Sequence, residues 1–108
     1  MRAVLDDAKV TAAVTRIHHE KDSDLHLVLR AGSDHMIAEA PSPSCTTRAK
    51  ASRRLQMTNA RSVVRTCARA RVVGVAFFDF KHGQTGVAPN AIELHPILGF
   101  TCLAVPTG

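Results

Sequence analysis

Residues 9–40, KVTAAVTRIHHEKDSDLHLVLRAGSDHMIAEA, decide the fold. Val10, Ala12 and Val14 recur at period two within a β-branched stretch, which predicts a strand over residues 9–19. The charged residues 20–24 (EKDSD) supply its turn. Leu25, Leu27 and Leu29 then alternate with His26, Val28 and Arg30, giving a second strand with one strongly apolar face. Residues 31–34 (AGSD) turn the chain again, and residues 35–40 (HMIAEA) make a third strand. Three strands joined by short turns form a meander.

Outward from the meander, Pro41 and Pro43 end the sheet pattern, because neither can donate to a ladder and each restricts the residue before it. Then the period changes. Ala60, Val63, Val64, Cys67 and Ala68 fall at helical spacing, with Met57 one turn earlier, and predict an amphipathic helix over roughly residues 47–70. On its other side Arg54, Arg61, Arg65 and Arg69 make a cationic stripe, the last three spaced by four. Residues 71–80 (RVVGVAFFDF) return to strand composition, with Gly74 marking a bulge or bend. Residues 81–90 (KHGQTGVAPN) read as a loop and residues 91–98 (AIELHPIL) as a fifth strand. The expected fold is mainly β with one helix, in the order β-β-β-α-β-β of a five-stranded OB-like barrel, with an α+β sandwich as the competing architecture.

The whole chain, 108 residues with 45% hydrophobic and 21% charged side chains, suits a single domain, residues 1–8 being expected as a flexible N-terminal segment. No apolar run is long enough to span a bilayer, and the first ten residues lack the apolar core of a signal peptide. Charge is unevenly placed. Residues 48–71 hold eight basic side chains and no acid, whereas the remainder holds six basic and nine acidic ones, so the net +5 divides into +8 and −3. That asymmetry fits a polyanionic partner, while a plainly solvated helix face accounts for the same charges. Cys45, Cys67 and Cys102 are an odd number without the close spacing of a zinc or redox motif. One bridge with one free thiol and three small buried hydrophobes both remain open, according to compartment.

Among groups that carry chemistry, Glu93 and His95 are two apart on the last strand and share a face. A barrel would bring that face near Asp79 and His82, giving a candidate metal or proton-transfer set of Asp79, His82, Glu93 and His95. The structural alternative is a set of hydrogen bonds that fixes the loop. The two glycines of residues 82–90 allow an anion-facing turn, but the Gly-Lys-Ser/Thr ending of a phosphate loop is missing. His18, His19, His26 and His35 read singly as surface or hydrogen-bonded histidines. Neither a G-x-S-x-G elbow nor an activated cysteine supports nucleophilic catalysis. Phe77 and Phe78 point to opposite faces, which leaves one stacking platform at best.

Residues 75–98, VAFFDFKHGQTGVAPNAIELHPIL, with residues 24–29 (DLHLVL) and 36–45 (MIAEAPSPSC), resemble a family of small bacterial proteins of unassigned function. Many of its members follow an export signal, and some carry cysteines near positions 45, 67 and 102. The resemblance therefore implies an exported mature domain. More distantly, the order of elements and the acidic turn Asp22-Ser23-Asp24 resemble staphylococcal-nuclease-like OB folds. That likeness implies calcium held by Asp22, Asp24 and Glu39, with Glu93 or His95 as a base, so the catalytic candidates are Asp22, Asp24, Glu93 and His95. No arginine stands in residues 81–90, where the nuclease pattern has its second phosphate clamp.

The reading that follows is a non-catalytic module binding a polyanion such as single-stranded nucleic acid through Arg54, Arg61, Arg65 and Arg69. No cofactor is expected, a divalent cation being the one the residues would admit. The alternatives are a calcium-dependent phosphodiesterase of the nuclease-like kind and a structural domain of the cell envelope. Oligomeric state is not legible.

Overall fold

The computed structural model describes residues 2–79 and 92–107. Its first three strands are the expected meander: β1 (Arg2–His19), β2 (Leu25–Ala31) and β3 (Asp34–Ala40). A 3-10 turn at Pro43–Cys45 leads to the helix α1 (Ala51–Val63), and β4 (Cys67–Asp79) and β5 (Ile92–Ala104) complete the order. The strands form a ring in the order β1-β2-β3-β5-β4, closed by β4 against β1. This is an OB-like arrangement.

Alternation explains how the sequence fills the ring. Leu25, Leu27 and Leu29 of β2 face inward beside Ala38 and Ala40 of β3, Ala12 and Val14 of β1, Val72 of β4, and Leu94 and Ile97 of β5. Leu27, Leu29, Leu94 and Ile97 are at most 1% exposed, each such burial being worth roughly 1.5–3 kcal/mol. Alanines at positions 12, 38, 40, 70 and 76 let opposite walls approach where larger side chains would collide. The helix sets Met57 and Ala60 against this interior.

Two glycines fix the geometry. Gly32 begins the two-residue connection between β2 and β3 at φ 63°, a left-handed conformation that other residues adopt at a cost. Gly74 lies where the β4–β5 register shifts, and a Cβ placed there would stand 2.7 Å from the carbonyl oxygen of Pro96. The bulge expected from Gly74 is present, and it allows β5 to cross β4 closely.

Support around the ring is uneven. β4 is paired with β1 and with β5 over most of its length, whereas among the described residues the parallel β3–β5 contact has two residue pairs, Ile37 with Glu93 and Ala38 with Leu94. Cys67 and Cys102 form a disulfide across β4 and β5 with Cα atoms 5.9 Å apart, and Cys45 is a free, exposed thiol.

The N-terminal residues are strand from Arg2 onward and are paired with β4, apart from a bulge near Asp7, where φ is 53°. One sequence expectation needs correction: the helix is shorter than residues 47–70. It stops at Val63, and Val64 already has extended geometry at ψ 139°. Val63, Val64 and Thr66 are β-branched and weak helix formers, and Cys67 is drawn into the sheet where it meets Cys102. Apolar residues at 64 and 67 thus matched a helical period while belonging to a linker and a strand. No helix among the described residues is long and apolar enough to cross a membrane.

Candidate functional site

Shortening the helix dismantles the expected stripe. Arg54 lies exposed on α1, Arg65 follows the helix, and Arg69 stands on β4. Arg61 has a different role: its Nη1 donates to the carbonyl oxygens of Ala40 at 3.0 Å and Pro41 at 3.3 Å, and its Nη2 donates to that of Ser23 at 2.6 Å. One guanidinium thereby ties α1 to the β1–β2 turn and to the end of β3. Charge-assisted bonds of this kind fix carbonyls where β3 ends and where the β1–β2 turn closes. Arg61 is spent on the fold.

The remaining basic side chains are differently placed. Arg69 and Arg71 are exposed and two apart on the outer side of β4, with Thr11 of β1 and Thr101 of β5 paired opposite Arg71. Lys9 lies two residues before Thr11 on β1 and is exposed as well. Of the eight basic residues in 48–71, the described ion pairs engage only Arg53, whose Nη1 is 3.1 Å from Asp7 Oδ1. Outward-facing charges on strands of one sign repel each other mildly and attract a polyanion in concert.

The opposite kind of chemistry gathers on the β2–β3–β5 side. The β2–β3 register sets His26 across from Glu39, both outside the core. His26 Nε2 is 3.3 Å from Glu39 Oε2, and its Nδ1 is 3.1 Å from Glu20 Oε1. From β5, His95 brings Nε2 within 3.7 Å of the same Glu39 oxygen. Behind them Asp24, only 7% exposed, accepts the Ser42 backbone N–H at 2.7 Å and shares a hydrogen bond with Glu39. Asp22 turns the other way, accepting the Asp24 N–H at 3.1 Å within the turn.

These contacts separate the two carboxyls electrically. Burial, then the hydrogen bond to Asp24, pushes Glu39 up to about 7, while the bond from Glu39 holds Asp24 below its ordinary value. When the pair holds one proton, below about pH 7, these shifts favour Glu39 as its carrier and Asp24 as the carboxylate that accepts from it. Partial burial lowers His95, against the opposing pull of Asp24 and Glu93. A shared proton between like carboxyls is the physical alternative to a bound cation, which needs both ionised.

The sequence candidates divide accordingly. Asp24, Glu39 and His95 come together, Asp22 is a turn residue, and Glu93 contributes its charge near His95. The Asp79 side chain, His82 and the loop of residues 81–90 lie outside the described residues, as does the Phe78 side chain. Among the described residues no three or more His, Cys, Asp or Glu side chains are arranged to hold a metal ion. The Phe77 ring lies 6.3 Å from that of His95, tilted by 48°.

His26 is the participant that sequence reasoning missed. A signal existed: pairing Ala31 with Asp34 across a two-residue turn obliges His26 to face Glu39. The role of Arg61 had no such signal, since Ser23, Ala40 and Pro41 lie 20 to 38 residues away from it. No protein-family model matches this chain, and no curated protein matches it.

Proposed function

We propose that this domain is a non-catalytic module that binds a polyanion, single-stranded nucleic acid foremost, through Arg54, Arg65 and Arg69. The observation that carries the reading is charge without compensation: eight basic residues and no acid in residues 48–71, with only Arg53 ion-paired among the described contacts. Arg71 and Lys9, exposed beside Arg69 and Thr11, add to the charge on the outer side of β4 and β1. Phosphate contacts from such side chains supply affinity without reading sequence. Arg61, bonded to three carbonyl oxygens, is left out of the binding set.

The reading requires no cofactor and places the domain in an oxidising compartment, in keeping with the Cys67–Cys102 disulfide. The test is anisotropy of a labelled single-stranded oligonucleotide across a salt series, with calcium or chelator present and the oligonucleotide sized afterwards. Three phosphate contacts give a slope of log affinity on log salt near roughly −2. Binding that ignores salt would sink the proposal. Calcium-dependent shortening of the oligonucleotide would instead favour a phosphodiesterase using Asp24, Glu39 and His95, and equal affinity for unrelated polyanions would favour a domain that contacts envelope polymers.

A further inference from the structure

Among the described residues the β3–β5 seam has two backbone residue pairs, and the next position along the register sets Glu39 beside His95. Side chains continue there what the backbone ladder leaves off. Glu39 Oε2 lies 3.7 Å from His95 on β5 and 3.3 Å from His26 on β2, and the same carboxyl shares a hydrogen bond with Asp24 in the β1–β2 turn. Asp24 in turn holds the Ser42 N–H beyond the end of β3. One carboxyl thus joins β3 to β2, to β5 and to a turn, at the place where the ring has least backbone support.

We propose that Glu39 is a proton-operated latch on the β3–β5 seam, independent of polyanion binding. Protonated, it donates to the Asp24 carboxylate and draws the turn, β3 and β5 together. Ionised, it confronts Asp24 as a like charge at a half-buried position, and the seam opens more readily. Among the described residues Glu39 meets Asp24 from the β1–β2 turn, His26 from β2 and His95 from β5; around these, Glu20 pairs with the other nitrogen of His26, Glu93 acts on His95, and Arg61 from α1 binds the Ser23 carbonyl next to Asp24.

The direction follows from linkage. Glu39 is raised from 4.5 to about 7, so its contribution to the closed seam is complete below the ordinary value, is lost as pH rises from there through about 7, and changes no further above. Asp24 is lowered and behaves oppositely, losing its contribution only in acid. His95, also lowered, favours closure above its ordinary value and opposes Glu39 just below it. Because His95 Nε2 lies 3.7 Å from Glu39, the comparison of wild type with a Glu39 variant is repeated in a His95→Gln background, which removes the imidazole from the seam.

The experiment is amide hydrogen exchange of wild type and Glu39→Gln between pH 5 and 8, each corrected for intrinsic rates. The glutamine amide can donate to Asp24 but cannot ionise. Seam amides of residues 37–40 and 93–95 are expected to gain protection in the variant, relative to wild type, by up to about tenfold per pH unit until about pH 7. Amides of the β1–β4 ladder, residues 9–12 and 70–73, are expected to keep a constant ratio. A ratio at the seam that does not change with pH would overturn the latch, and so would equal changes at seam and ladder. Should the variant not fold, the wild-type Glu39 side-chain carbon and the seam amides are followed by NMR, and different titration midpoints for the two would overturn it as well.

Discussion

The two sides of the ring solve the same problem with different materials. Around β4, long antiparallel ladders and the Cys67–Cys102 bridge hold the strands, and the outward side chains Lys9, Arg69 and Arg71 are exposed, with no hydrogen bond or ion pair among the described residues. Around β3, two parallel residue pairs do that work with the help of Asp24, Glu39, His26, His95 and Arg61. Where backbone and covalent bonds suffice, the described basic side chains stay exposed, as the proposed polyanion binding requires. Where they do not, charge is consumed by the fold. On the proposals made above, the distinction gives arginines of one basic stretch opposite duties and sets the proton-sensitive cluster on the β3 side.

Removing the covalent support from the first side should have the largest effect. A Cys67→Ala/Cys102→Ala double variant loses the closure of a loop of 35 residues and is expected to be destabilised by about 3–4 kcal/mol, read from urea unfolding. Stability unchanged by the variant would mean that the ladders alone hold β4 and β5. Next comes Asp24→Ala, which strips Ser42 N–H of its acceptor and Glu39 of its hydrogen-bond partner at a buried position. The expected loss is about 2–3 kcal/mol at neutral pH. It should shrink in acid, where wild type itself loses the advantage of an ionised Asp24, and a loss independent of pH would break the claim that side-chain electrostatics hold this side.

A pair of arginine variants sharpens the contrast further. Arg61→Gln gives up bonds to three carbonyl oxygens from a partly exposed position and should cost about 1–2 kcal/mol. Arg69→Gln, on the exposed side of β4, should stay within about 0.5 kcal/mol of wild type. Equal thermal shifts for the two would erase the distinction between them.

How far this was legible depends on the range of the interactions. The meander could be read because alternation at Leu25, Leu27 and Leu29 and the glycine turn at Gly32 are local, and the β-β-β-α-β-β order followed from the change of period after Pro43. The end of the helix could not be read from apolar spacing, since Val64 and Cys67 meet the same interior from a linker and a strand. His26 beside Glu39 was available from hairpin register. Glu39 beside His95 required knowing that β3 and β5 run parallel and side by side, a non-local fact that no neighbouring residue announces. The arginine stripe failed for the related reason that spacing by four means one face only while the chain remains helical.

The central claim is that Arg54, Arg65 and Arg69, which make no described bond between separate elements, and not Arg61, engage the partner. Its most direct measurement compares single-stranded oligonucleotide affinity of wild type, Arg54→Gln/Arg65→Gln/Arg69→Gln and Arg61→Gln at one low salt concentration, with folding of each checked by circular dichroism. The account predicts a loss of at least tenfold for the triple variant and near wild-type affinity for folded Arg61→Gln. Unchanged binding by the triple variant, or a greater loss with Arg61→Gln than with the triple, would contradict it.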